Sequence, residues 1–148
     1  MIKYLIIVLL LLSSSTNASG SLKSDFNLNN VNKISIESAK YSLGPYQKIV
    51  ISNPEEIKFI INELNNIKST GGIDNIVEYK VIFYIDKKEL LVLGLHIDLN
   101  YPSSSFIRQR IYKDNELYSV DDFKISRSFF DFLKDKLQKR TKGDNSKN

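Results

Sequence analysis

The chain has 148 residues, enough for one ordinary domain with its own core, and no cysteine, which excludes disulfides, thiolate nucleophiles and cysteine metal sites. Its net charge of +4 is not spread evenly: from Lys134 onward, Lys134, Lys136, Lys139, Arg140, Lys142 and Lys147 face only Asp135 and Asp144, and the rest is close to neutral. Nucleic-acid-binding domains concentrate positive charge on the folded surface, so this distribution argues against a nucleic-acid partner.

Taken in chain order, residues 1–18 read as an export signal. Lys3 supplies the positive start, Tyr4 to Leu12 is an unbroken apolar run, and Thr16-Asn17-Ala18 meets the small-residue rule for cleavage after Ala18. The run is roughly half the ~20 residues a membrane span needs. The mature chain is therefore expected outside the cytoplasm, periplasmic or extracellular, with no transmembrane span after cleavage. Residues 19–30 are rich in Ser and Asn and predict a flexible leader; residues 31–140 form a single domain, and 141–148 a disordered polar tail.

Within the domain, Ile34 and Ile36 alternate with Lys33, Ser35 and Glu37 as a strand, and Tyr46–Ser52 follows a Gly44-Pro45 turn. Asn53, Pro54 and Glu56 form a capping-box pattern for a first helix. Its stripe is Ile57, Ile60, Ile61, Leu64 and Ile67, with Lys68 in the last turn and Gly71-Gly72 as the stop. Strands are predicted at Tyr79–Ile85, Leu90–Leu99, Phe106–Tyr112 and Glu116–Val120, the first two joined by a polar Asp86–Glu89 loop and the last two by a Lys113-Asp114-Asn115 turn. Ser126 caps a second helix, with Ile125 and Phe130 placed as a hydrophobic staple and Phe129, Phe130, Leu133 and Leu137 as its buried face.

The fold class is thus α+β, a single antiparallel sheet with two helices on one face, in the order β-β-α-β-β-β-β-α. In element order alone this resembles the TATA-binding-protein-like class of α+β folds, and a likeness of order carries no functional residue with it.

Alternation sorts the sheet into two faces. Leu91, Leu93, Leu95, Ile97 and Leu99 face the helices, with Tyr79, Val81, Phe83, Ile85, Ile107, Gln109 and Ile111. The opposite face presents Tyr84, His96, Arg108, Arg110 and Tyr112, side-chain types enriched at binding hot spots because each combines large area with a polar end. These five are the candidate partner-binding residues. Arg108 and Arg110 are expected to be surface residues whose loss leaves the fold unchanged.

Candidate chemistry is sparse. His96 is the only histidine, and with Asp98 on the same strand face it could serve acid–base work or give two ligands to a metal that needs more. Asp121-Asp122 and Glu55-Glu56 are adjacent carboxylates that point apart, suited to capping helices and lining turns. Gly-x-Ser-x-Gly is absent, and Gly71-Gly72 lacks the rest of a phosphate loop. No catalytic residue, metal site or cofactor is assigned. These features point to an exported, non-enzymatic binding protein, an inhibitor or immunity protein whose open sheet face contacts another protein. The alternative is a small exported hydrolase or metal-dependent enzyme centred on His96 and Asp98.

Overall fold

A computed structural model describes residues 27–40, 42, 46–73 and 75–144. The expected signal peptide, most of the leader and the Gly44-Pro45 turn lie outside these residues. Leu28–Asn30, the end of the expected leader, form a 3-10 turn capped by the Asn27 side chain, and Leu28 is buried in the core.

Seven strands make one antiparallel sheet in the order β2-β1-β4-β5-β6-β7-β3. They are β1 (Lys33–Ser38), β2 (Lys48–Ile51), β3 (Lys68–Ser69), β4 (Tyr79–Ile85), β5 (Lys88–His96), β6 (Phe106–Lys113) and β7 (Glu116–Lys124); α1 (Pro54–Asn66) follows β2, and α2 (Arg127–Asp144) ends the described chain. The order is the expected one, with the two-residue β3 added.

One face of the sheet packs under both helices. Ile34, Ile36, Val81, Phe83, Leu91, Leu93, Leu95, Ile107 and Phe123 meet the apolar stripes of α1 and α2 in a single cluster. Burying each such side chain fully contributes about 1.5–3 kcal/mol. The helices run antiparallel: Ser126 and Ser128 at the start of α2 donate to Glu63, while Lys136 reaches Glu56 at the start of α1. Phe59 packs edge-on against Phe129 and against Phe132 between them.

Local signals explain the element ends. The Asn53 side chain accepts from Glu55 N at 2.9 Å and Glu56 N at 3.2 Å, and Pro54 occupies the first turn. Glu56 differs from a capping-box residue in that its carboxylate pairs with Lys136. Ser126 Oγ accepts from Phe129 N at 3.0 Å, as a cap should. The Asp114-Asn115 turn has positive φ at both residues (53° and 66°), the conformation that a two-residue hairpin loop needs. At the β4–β5 turn, Asp86 has φ 55°, and Asn32 holds it by accepting from Asp86 N and donating to its carboxylate.

Beyond shifts of one or two residues, four boundaries differ from the sequence reading. Helix α1 ends at Asn66, and Gly71-Gly72 do not stop it. Lys68 and Ser69 instead pair with Lys124 and Phe123 of β7, and the strand pairing draws the chain out of the helix at Ile67. Strand β5 closes at His96, because Asp98 turns the chain by accepting from Asn100 N and Tyr101 N, so Leu99 is exposed rather than in the core row. Strand β7 continues past Val120 to Lys124 and takes Asp121-Asp122 into the sheet. Helix α2 runs on to Asp144, into the segment expected as a tail.

Candidate functional site

The side of the sheet away from the helices is where candidate binding residues were expected. Register sets its side chains in rows. Val50, Ser35, Ile82 and Val92 align across β2, β1, β4 and β5, and Glu37, Lys80, Gly94, Arg108 and Asp122 align across β1, β4, β5, β6 and β7. This outer face is not bare. The segment 70–78 between β3 and β4 lies over its β5–β7 half and is tied down at three points.

The first tie is Asp122. Its main-chain oxygen accepts from Thr70 N at 2.8 Å and Thr70 Oγ1 at 3.1 Å, and its carboxylate accepts from Ile73 N. The second is Arg108, which donates from Nε and Nη2 to the Asp122 carboxylate at 2.7 and 2.8 Å, from Nη1 to Asn75 O at 3.0 Å, and from Nη2 to Ile73 O. The Asp122 side chain is 0% exposed and that of Arg108 13%, so this is a buried ion pair at the centre of a loop anchorage. The third tie is His96, stacked on Phe106 with Nδ1 3.1 Å from Ile76 O and 3.2 Å from the Glu78 carboxylate. Gly94 makes the loop's close approach possible: a Cβ there would lie 2.9 Å from both γ-carbons of Val77.

Where the loop stops, a cleft of about 610 Å³ opens between it, the end of β1 and the sheet. Ile76 and Val77 form one wall, Ala39 and Lys40 another, and Val92 and Gly94 the floor, with Lys80, Arg108 and Arg110 around it. Ile76 and Val92 stay 65% and 46% exposed, large apolar side chains left open to water at the mouth. No acidic residue lines the cleft among the described residues. The site's chemistry is therefore that of an apolar surface with a cationic surround, suited to binding.

The five expected residues do not converge. Arg108 and Arg110 both border the cleft, but Arg108 is engaged by Asp122 and the loop and is not a free surface anchor, whereas Arg110 is exposed. His96 is held beneath the loop. Tyr84 stands at the hairpin end with the Lys33 ammonium 4.0 Å from its ring centre; desolvation and the Glu89 charge push its hydroxyl above the usual tyrosine range. Tyr112 lies in β6 opposite Leu117, and its side chain is outside the described residues. Farther along the face, Glu37 is held below the usual carboxylate range by its hydrogen bond from Lys48, and next by that from Ser35.

His96 faces Glu78, while Asp98 is occupied with the amides of its own turn. Among the described residues no group of three or more His, Cys, Asp or Glu side chains is placed to hold a metal ion, and no helix is long and apolar enough to cross a membrane. Sequence reasoning missed Lys80, Val92 and Ile76 as site residues. The available signal was the apolar pair Ile76-Val77 inside a polar loop, opposite a glycine in the middle of a strand.

Neither a protein-family model, nor a curated protein, nor a solved structure matches this chain.

Proposed function

We propose that this chain is an exported, non-enzymatic binding protein that docks another protein against its outer sheet face, in the manner of an inhibitor or immunity protein. The observation that supports this is the cleft beside segment 70–78, where Ile76 and Val92 leave apolar surface in water between Lys80 and Arg110. An apolar centre rimmed by long polar side chains is the usual anatomy of a protein contact. In the row Val50–Ser35–Ile82–Val92 the two end valines are exposed, while Ser35 and Ile82 between them are buried. The alternative enzyme centred on His96 and Asp98 gains no support from their side chains, which are spent on a loop and on a turn.

The test is affinity capture from the cells that make the protein, using the parent chain, Val92→Asp and Arg110→Ala. A stoichiometric protein retained by the parent and lost from Val92→Asp supports the reading. Equal capture by all three takes the outer face out of the mechanism. N-terminal sequencing of the native protein tests export: Ser19 is the expected first residue, and an intact Met1 refutes the cleavage.

A further inference from the structure

Resting on the reading that the outer face is the contact surface, we infer that the cleft receives an acidic side chain next to an aliphatic one, both on a polypeptide segment of the partner. Charge complementarity is the first argument. Lys40, Lys80, Arg108 and Arg110 reach the cleft from three different strands or their ends, and no carboxylate lines it among the described residues. Arg108 is committed to Asp122; of Lys40, Lys80 and Arg110, the last two stand on the sheet itself and meet the ligand. They stand on β4 and β6, the neighbours of β5: Lys80 lies opposite Gly94, and Arg110 is two residues beyond Arg108, the partner of Gly94 on the other side, so their stems rise about 12 Å apart, diagonally across β5. Both side chains are long enough to close on one carboxylate above the Val92–Gly94 stretch of β5, Arg110 with a planar fork that donates to it in two places.

The apolar half of the ligand follows from Ile76 and Val92, between which an aliphatic side chain loses its water. Openness decides between a polypeptide and a small free ligand. Pockets for small molecules bury about 70–90% of the ligand. Here Ile76 in the wall and Val92 in the floor are themselves 65% and 46% exposed, so a ligand confined to the cleft stays largely wet. A segment carried by a larger partner does not, because the partner's own surface closes over the mouth.

Titration of the ¹⁵N-labelled protein, followed by amide shifts, tests this with three probes: N-acetyl-Leu-Glu-methylamide, its Gln counterpart, and octanoate. The Glu probe should shift the amides of Lys80, Val92 and Gly94 saturably and bind about fivefold more tightly than the Gln probe, the scale of a half-exposed charge contact. Lys80→Gln and Arg110→Gln should each bring the two peptides to within about twofold of each other, and Val92→Asp should abolish both. These positions are exposed, and the same spectra report whether each variant is folded. Equal affinity for Glu and Gln probes, or no saturable shift at these amides, overturns the inference. Octanoate binding about tenfold more tightly than the Glu peptide also overturns it, in favour of a small amphiphilic ligand. Equal Glu and Gln affinities alongside partner capture that Val92→Asp abolishes would sink this inference and leave the binding-protein reading intact.

Discussion

Arg108 and Arg110 sit two residues apart on one strand and one face, yet removing them should have opposite consequences. Arg108→Met takes away both donors that Nε and Nη2 direct to the Asp122 carboxylate, and the two directed to Ile73 O and Asn75 O. Asp122 is 0% exposed, so its charge is left in the protein with the Ile73 amide and, among the described residues, no counter-ion. Breaking a buried ion pair in this way costs about 3–5 kcal/mol, against a total stability of about 5–15 kcal/mol for a domain. With a urea slope of about 1–3 kcal/mol per molar, the midpoint should fall by at least about 1 M. Arg110→Ala, the matched control, should stay within about 0.5 kcal/mol of the parent. A cycle adding Asp122→Asn and the double variant isolates the pair, and the expected coupling is about 2 kcal/mol or more. Hydrogen exchange shows where the damage falls, since the Thr70 and Ile73 amides should lose protection first. Single variants that are both near neutral and additive within about 0.5 kcal/mol would refute the claim that this pair holds the loop.

Gly94→Ala should destabilise by about 1–3 kcal/mol through overpacking, because a new Cβ meets both branches of Val77 and no rotation removes the clash; Val77→Ala in the same chain should restore most of the loss. Ile60→Ala, at a position almost completely buried, should cost about 2–5 kcal/mol, and Asn53→Ala about 1 kcal/mol, both read from denaturant midpoints at constant slope. Glu37 has a folded-state pKa below its unfolded value, so its contribution is present above the unfolded pKa of about 4.3 and disappears as pH falls through the folded one. Lys48→Met should raise the Glu37 titration midpoint in a carboxyl-carbon NMR experiment, and an unmoved midpoint would count against the pair.

Periodicity carried most of the fold. The stripe Ile57, Ile60, Ile61, Leu64 and the row Leu91, Leu93, Leu95 were readable because one buried face imposes one period on the chain. What stayed hidden depends on contacts distant in sequence. Asp121-Asp122 read as turn chemistry because aspartate is disfavoured in strands. Only the register of β7 against β6 brings Asp122 to Arg108. Segment 70–78 has neither period, so its docking, and hence the cleft's wall, had no signature beyond Ile76-Val77. Face assignment by alternation was sound for Arg108 and Arg110 alike, but alternation says only which way a side chain points. It does not say whether another part of the chain is already there.

The last helix also bears on when the molecule can fold. Phe129, Phe130, Leu133 and Leu137 of α2 complete the core that β1, β4 and α1 begin, and the polar links between the helices join residues 63 to 80 positions apart. Such pairings bring no return until a long stretch of chain has been ordered, which slows folding relative to a chain held by local contacts. During synthesis the sheet's inner face has no second helix to cover it until α2 emerges. The chain therefore remains open, and in need of protection from aggregation, until α2 has been made.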